Sequence, residues 1–349
     1  MEQLVGQVLH DRYQIKSLLG RKTGRRTFLA HNLETRSPVV VKLMLFGPDF
    51  IWDDLKLFER EAETLKALNH PAIPTYLDFF EVDSELGQGF ALVQSYIEAR
   101  SLQEWVQSGR TFSQNEIKEI SKALLEILDY LHSRQPPVVH RDLKPSNILL
   151  AGRSGNSPGT IYLIDFGSVQ TLSHDGTITV VGTYGYMPPE QFGGRTLSVS
   201  DLYSLGATLI YLVTGQHPAD LFHQDGHIEF AQITRLSPNF IAWLQWLTDP
   251  KASKRPKSAR DAMQHFLQPP QLRTQMQLAT QPMPETNVPR KHHKYNSPRG
   301  TAAIGWVASV VLAVFVISSL LPVMGVWIGL PVLILALIIH FFPLFPPED

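Results

Sequence analysis

Apolar positions along the chain follow two periods and then cease to alternate with polar ones. Short apolar runs over residues 13–19, 27–32 and 38–44 read as strands, the last spelled Pro38-Val39-Val40-Val41-Lys42-Leu43-Met44. Residues 53–68 switch to helical spacing, with Leu55, Phe58, Ala62 and Leu65 on one face. A hairpin is predicted from 75–82 and 90–97 around Ser84-Glu85-Leu86-Gly87-Gln88-Gly89. Ser113 and Glu116 form a capping box. The stripe Ile117, Ile120, Leu124, Leu128 and Leu131 then carries a long helix to Ser133, and Pro136-Pro137 ends it. Residues 201–213 are almost wholly apolar and too short to span a bilayer, so they predict a buried central helix. Residues 240–247 and 258–266 read as the last two helices of this part.

Beyond residue 267 the pattern changes twice. Residues 268–300 hold six prolines and five glutamines with little apolar periodicity, the composition of a flexible linker. The linker ends in a basic stretch, Arg290-Lys291-His292-His293-Lys294 through Arg299. From 301 to 347 there is no Asp, Glu, Lys or Arg. One helix over 45 such residues would be about 67 Å long, roughly twice the hydrocarbon thickness. Pro322 and Gly325 divide it, which predicts two spans over 302–321 and 326–342 within a membrane region of 301–343. Trp306 and Trp327 suit the interfaces, and the basic stretch keeps the preceding domain on the cytoplasmic side. The alternatives are a single span with a re-entrant segment, or a soluble buried hairpin. Met1-Glu2-Gln3-Leu4 shows no signal-peptide pattern.

Composition mainly excludes. The 349 residues carry a formal net charge of −1, so nothing global favours nucleic acid. There is no cysteine, which removes disulfides and thiolate metal sites. The 13 histidines are scattered without ligand spacing.

The chemistry concentrates in Val139-His140-Arg141-Asp142-Leu143-Lys144-Pro145-Ser146-Asn147, a dense polar cluster between apolar flanks. Leu163-Ile164-Asp165-Phe166-Gly167 follows. Together these resemble the protein-kinase signatures H-R-D-L-K-P-x-N and D-F-G. Lys42 ends an apolar strand; it is either a snorkelling edge residue or the family's phosphate-holding lysine. Glu61, shortly before Leu68-Asn69-His70-Pro71, matches the family glutamate that pairs with that lysine. Gly182-Thr183-Tyr184-Gly185-Tyr186-Met187-Pro188-Pro189-Glu190 resembles G-T-x-x-Y-M-A-P-E, with Pro188 in place of Ala. The loop Gly20-Arg21-Lys22-Thr23-Gly24-Arg25-Arg26 stands where the glycine-rich phosphate loop belongs. Lys22 and Arg25 replace its second and third glycines, and Thr27 its Val. Their cations either attract phosphate or mark a plain basic hairpin tip.

The resemblance covers residues 13–267, and the chain is identified as a eukaryotic-like, bacterial-type serine/threonine protein kinase with a C-terminal membrane anchor. It implies an α+β, two-lobed kinase fold with a small β-rich N-lobe and a larger helical C-lobe, plus transmembrane helices. Protein Ser/Thr hydroxyls would be the substrates, with ATP and Mg²⁺ (or Mn²⁺) bound. By the same resemblance Asp142 orients the substrate hydroxyl, Lys144 sits at the γ-phosphate, and Asn147 and Asp165 hold metal. Lys42, fixed by Glu61, holds the α/β-phosphates; Gly20, Lys22 and Ala30 belong to the nucleotide-covering segment. Ser95 and Ile97 offer hinge backbone to adenine, and Gln94 gates the back pocket. Thr183 bridges Asp142 and Lys144, Glu190 pairs with Arg255, Asp201 braces the catalytic loop and His140 is structural. Arg141 would receive a phosphorylated activation-loop residue, Thr177 or Thr179 first and Ser173 third, placed by trans-autophosphorylation in a dimer. With two spans almost no polypeptide faces outward, so the expected location is the cell membrane, multi-pass, kinase domain in the cytoplasm. The rival reading is a pseudokinase acting as a membrane scaffold or nucleotide sensor, motivated by the altered glycine loop.

Overall fold

The computed structural model describes residues 4–267 apart from 23, 48, 49, 51, 85, 86, 153–158 and 172–180. The linker and membrane expectations, and the sites Ser173, Thr177 and Thr179, therefore lie outside the described residues. Among the described residues no helix is long and apolar enough to cross a membrane.

The first half is a twisted antiparallel sheet with one helix against it. Its strands are β1 (Val8–Leu9), β2 (Tyr13–Lys22), β3 (Arg25–Asn32) and β4 (Ser37–Leu45). Helix α1 (Trp52–Ala67) follows, then β5 (Tyr76–Ser84) and β6 (Gly87–Ser95). Their order is β1-β2-β3-β4-β6-β5. The period of two divides each strand between two surfaces. Phe28, Ala30, Val39, Val41 and Leu43 enter one small core with Tyr13, Ile15, Ala91 and Val93. Thr27, Val40 and Lys42 face the other side, where a cleft opens. Helix α1 buries Leu55, Phe58, Ala62 and Leu65, the stripe its spacing predicts.

After β6 the chain passes through β7 (Arg100–Ser101) and α2 (Leu102–Gln107) into α3 (Gln114–His132). The α3 capping box forms as expected: Ser113 accepts from the Glu116 N–H, and Glu116 accepts from the Ser113 N–H. Short strands β8 (Val138–Val139), β9 (Ile148–Ala151), β10 (Thr160–Leu163) and β11 (Gln170–Thr171) hold the two motif segments side by side. Strand β9 pairs with β10 and β8 with β11, so the polar cluster and the D-F-G segment are presented together. Next come α4 (Pro189–Phe192), α5 (Ser198–Thr214), the β12–β13 pair (His223–Gln224, His227–Ile228), α6 (Pro238–Leu247) and α7 (Ala259–Leu267). Helix α5 buries every residue from Ser200 to Leu212, which is why its sequence lacks a polar face. Gly215, at φ +69°, ends it in a left-handed C-cap.

Candidate active site

The cleft between sheet and helical half has a volume of about 580 Å³. Gly20, Thr27, Val40, Lys42, Glu61, Gln94, Ser95, Ile97, Asn147 and Asp165 are among its walls. They include most of the residues the sequence selected, drawn from four strands, one helix and the loops between elements.

Asp142 and Lys144 are not among the cleft walls; a polar network fixes Asp142 next to the wall residue Asn147. Thr183 Oγ1 lies 2.6 Å from Asp142 Oδ1 and 2.6 Å from Lys144 Nζ, which donates to it. Lys144 Nζ also reaches Asp142 Oδ2 at 2.8 Å. Asn147 Nδ2 donates to the Asp142 carbonyl at 2.9 Å and to its Oδ2 at 3.1 Å. Both carboxylate oxygens of Asp142 thus have fixed partners. The bridging position of Thr183 agrees with the sequence expectation.

Beneath this network Asp201, wholly buried, accepts three hydrogen bonds. The backbone N–H groups of His140 and Arg141 donate to it at 2.9 Å each, and His132 Nε2 stands 2.9 Å away. Burial by itself would raise the Asp201 carboxyl; the contacts with His132 and His140 outweigh it and hold the carboxyl below its usual range. Arg141 takes a left-handed backbone at φ +67°, which this anchoring stabilises. His140 packs edge-on against Phe166 at 5.0 Å with Nε2 on the Ile164 carbonyl at 3.2 Å. It is a core histidine, as expected.

A second charged cluster lies on the cleft wall itself. Lys42 Nζ bonds Glu61 Oε1 and lies 3.2 Å from Asp165 Oδ1. Burial alone would lower the Lys42 ammonium; Asp165 and Glu61 reverse this and hold its pKa well above the usual lysine value. The snorkelling alternative is therefore excluded for Lys42. Glu61 is 1% exposed, and the Lys42 ammonium is its ion-pair partner. Asp165, at φ +65°, turns the chain into the short helical turn Phe166–Ser168. Among the described residues no three His, Cys, Asp or Glu side chains converge as a metal cage. A divalent ion here would rest on Asn147, Asp165 and oxygens of ligand and water, a donor set that suits Mg²⁺.

The hairpin departs from expectation. Strands β2 and β3 extend to Lys22 and Arg25, which pair, so the segment is a ladder instead of an open loop. Gly24 lies in the connection at φ +67°. Gly20 sits within β2 and lines the cleft. The side chain of Lys22 lies outside the described residues. Ala30 needs correction: it is absent from the cleft walls and packs into the small core at 1% exposure. Strand parity is the reason, since Ala30 shares a face with Phe28 while Thr27 shares one with Lys42. At the hinge, the Ser95 N–H donates to the Thr75 carbonyl at 2.9 Å, and the Ile97 carbonyl accepts from Ala99 at 3.0 Å.

Sequence reasoning missed two supports and one like-charged neighbour. His132 on Asp201 could have been found from its place on the α3 stripe, one residue past Leu131. Gln191 Nε2 donates to the Arg141 carbonyl at 2.8 Å and also bonds the Val181 carbonyl. Its contacts span distant segments and left no local signal. Arg60, beside Glu61, acts electrostatically on Arg141: burial chiefly, then Arg60, lowers that guanidinium to about 10. Glu190 and Arg255 pair in a bidentate fork at 2.6 and 2.9 Å, as the motif implied.

Comparison with known proteins agrees with this geometry. The family model described as protein kinase domain matches residues 13–277. The chain is 34% identical over 274 residues to serine/threonine-protein kinase B of Synechocystis, covering 73% of this chain and 46% of that protein. It is 36% identical over 230 residues to serine/threonine-protein kinase PknA of Nostoc, covering 62% and 39%. With serine/threonine-protein kinase PrkC of Bacillus subtilis it shares 32% over 225 residues, covering 62% and 32%. The chain thus spans less than half the length of these three relatives. With the motif segments, the cleft and the family match in agreement, the chain belongs to the protein kinase domain family.

Proposed function

We propose that this chain is a serine/threonine protein kinase that transfers the γ-phosphate of ATP to protein hydroxyls. The observation that carries the proposal is the Thr183–Lys144–Asp142 triangle, which places a carboxylate and an ammonium side by side, bonded to Asn147 of the cleft wall. Phosphoryl transfer asks for positioning and charge neutralisation more than covalent help. In this reading Asp142 accepts or orients the proton of the incoming hydroxyl, and Lys144 offsets charge on the transferring group. Lys42, held by Glu61, positions the α/β-phosphates. Asn147 and Asp165 hold Mg²⁺ or Mn²⁺, whose role is to neutralise phosphate charge. Backbone groups near Ser95 and Ile97 meet adenine, with Gln94 behind it. The test is phosphate transfer from labelled ATP by the wild type and by Asp142→Asn. General acid–base groups contribute about 10²–10⁴-fold, and a loss on that scale is the expected result. ATP binding without transfer in the wild type would instead select the scaffold or nucleotide-sensor reading.

The proposal extends to location and regulation. The kinase domain of residues 13–267 is tethered through 268–300 to two spans within 301–343, facing the cytoplasm of a multi-pass membrane protein. The uncharged stretch and the basic residues before it support this. Protease protection of the Asp349 end in inside-out vesicles would sink the two-span topology. Trans-autophosphorylation at Thr177 or Thr179 within a dimer, read by Arg141, is the proposed control. Unchanged kinetics after combining Thr177→Ala with Thr179→Ala would count against it.

A further inference from the structure

Arg25 occupies a glycine position of the family pattern, and its side chain has a defined destination. The parity of β3 sends Arg25 to the cleft side with Thr27. Its Nη2 donates to the Asp54 carbonyl, in the first turn of α1, at 2.7 Å. Its Cζ lies 5.6 Å from the centroid of the Phe58 ring, one turn further along the same helix. The surroundings of Gly167 supply a third observation. A Cβ built there would stand 3.2 Å from Arg25 Nη1, 2.9 Å from Glu61 Oε2 and 3.4 Å from Asp165 Oδ1. The guanidinium and the second oxygen of Glu61 therefore flank one point, while the first oxygen of Glu61 bonds Lys42. Asp54, Phe58 and Glu61 follow at helical spacing, so Arg25 runs along a single face of α1.

We infer that Arg25 is a positioning residue: it ties the β2–β3 hairpin to α1 and presets Glu61 against Lys42 before nucleotide arrives. A glycine could make none of these contacts. A guanidinium anchored on a helix carbonyl and an aromatic face is a strut, which differs from the phosphate clamp that the cation alone suggests. The geometry stands by itself; the kinetic consequence rests on the kinase reading.

The test uses the full chain without nucleotide. Amide hydrogen exchange over residues 54–67 is compared in wild type, Arg25→Gly and Arg25→Lys, alongside ATP-dependent kinetics. Loss of a charged hydrogen bond predicts about tenfold faster exchange in Arg25→Gly. The same loss predicts a kcat lower by about tenfold, with the KM for ATP changed by less than about threefold. Arg25→Lys restores only part of both, because an ammonium lacks the fork. If Arg25→Gly does not fold, Arg25→Gln carries the comparison: it removes the charge and keeps one amide donor. Wild-type exchange over α1 in the neutral variant overturns the inference. So does a rise in KM with kcat retained, which marks a phosphate clamp. Absence of phosphate transfer in the wild type defeats the kinase reading and leaves the exchange result to decide the strut.

Discussion

The catalytic loop and the β2–β3 hairpin line the same cleft but are held in opposite ways. Asp142, Asn147 and Asp201 are buried, Asn147 is bonded to Asp142, and Asp142 and Asp201 each take partners from distant segments. Removing one of them leaves other polar groups unsatisfied in a low dielectric. The hairpin has the ladder β2–β3 and, at its β3 end, the Arg25 contacts with α1. Leu18 and Leu19 beside it are exposed. The comparison teaches why the loop keeps the family pattern while the hairpin has exchanged two glycines for cations. Substitutions in the loop are paid for through the network, whereas a side chain added at Gly20 of the hairpin meets open space.

Asp201→Ala attacks the comparison where the effect should be largest. It strands two backbone N–H groups and His132 in the interior, and a loss of about 3–5 kcal/mol in unfolding free energy is expected. Chemical denaturation measures it, and a loss below about 1 kcal/mol would show that the loop is no more firmly held than the hairpin.

Arg255→Ala comes next, at about 3 kcal/mol, because it leaves the Glu190 carboxylate partly buried without its fork. The pair also sets a pH dependence. Burial alone would raise the Glu190 carboxyl, but Arg255 and Ser200 hold it below the usual glutamate range. Its contribution is therefore complete above the unfolded carboxyl's pKa and is lost as pH falls through the depressed folded value. Stability of the wild type should fall more steeply in that acid window than stability of Arg255→Ala. Parallel pH profiles would refute the assignment.

Two glycines give the smallest and sharpest contrast. Gly182 has φ +138°, and a Cβ there would stand 2.6 Å from Gln191 Nε2 and 2.9 Å from Met187 Sδ. Gly182→Ala should cost about 1–3 kcal/mol. Gly20 has no atom within 4 Å of the corresponding Cβ, so Gly20→Ala should stay within about 0.5 kcal/mol. Thermal unfolding of the two variants, compared with wild type, reads the difference directly.

Much of the fold was legible in the sequence because burial imposes a period. The α1 stripe, the α3 capping box and the apolar α5 appear within a residue or a few of where the pattern puts them. The site was legible where chemistry compresses several functional groups into one short loop. Ala30 was misplaced because distance in sequence from Gly20 says nothing about which face of β3 a residue takes. Gln191 left no signal because its partners come from distant parts of the chain.

Sequence alone determined the inventory: a lysine strand, a helix bearing Glu61, the polar loop, the D-F-G segment and an uncharged C-terminal stretch. Those are local facts, set by side-chain chemistry and by periods of two or 3.6 residues. Tertiary structure decided what each group touches. It raised the Lys42 pKa by bringing Asp165 and Glu61 to one ammonium, and it closed Thr183 onto Asp142 from 41 residues away. It also turned Arg25 from a surface cation into a contact with α1. Electrostatics and hydrogen bonds act over a few ångströms, and only folding brings residues so far apart in the chain within that range.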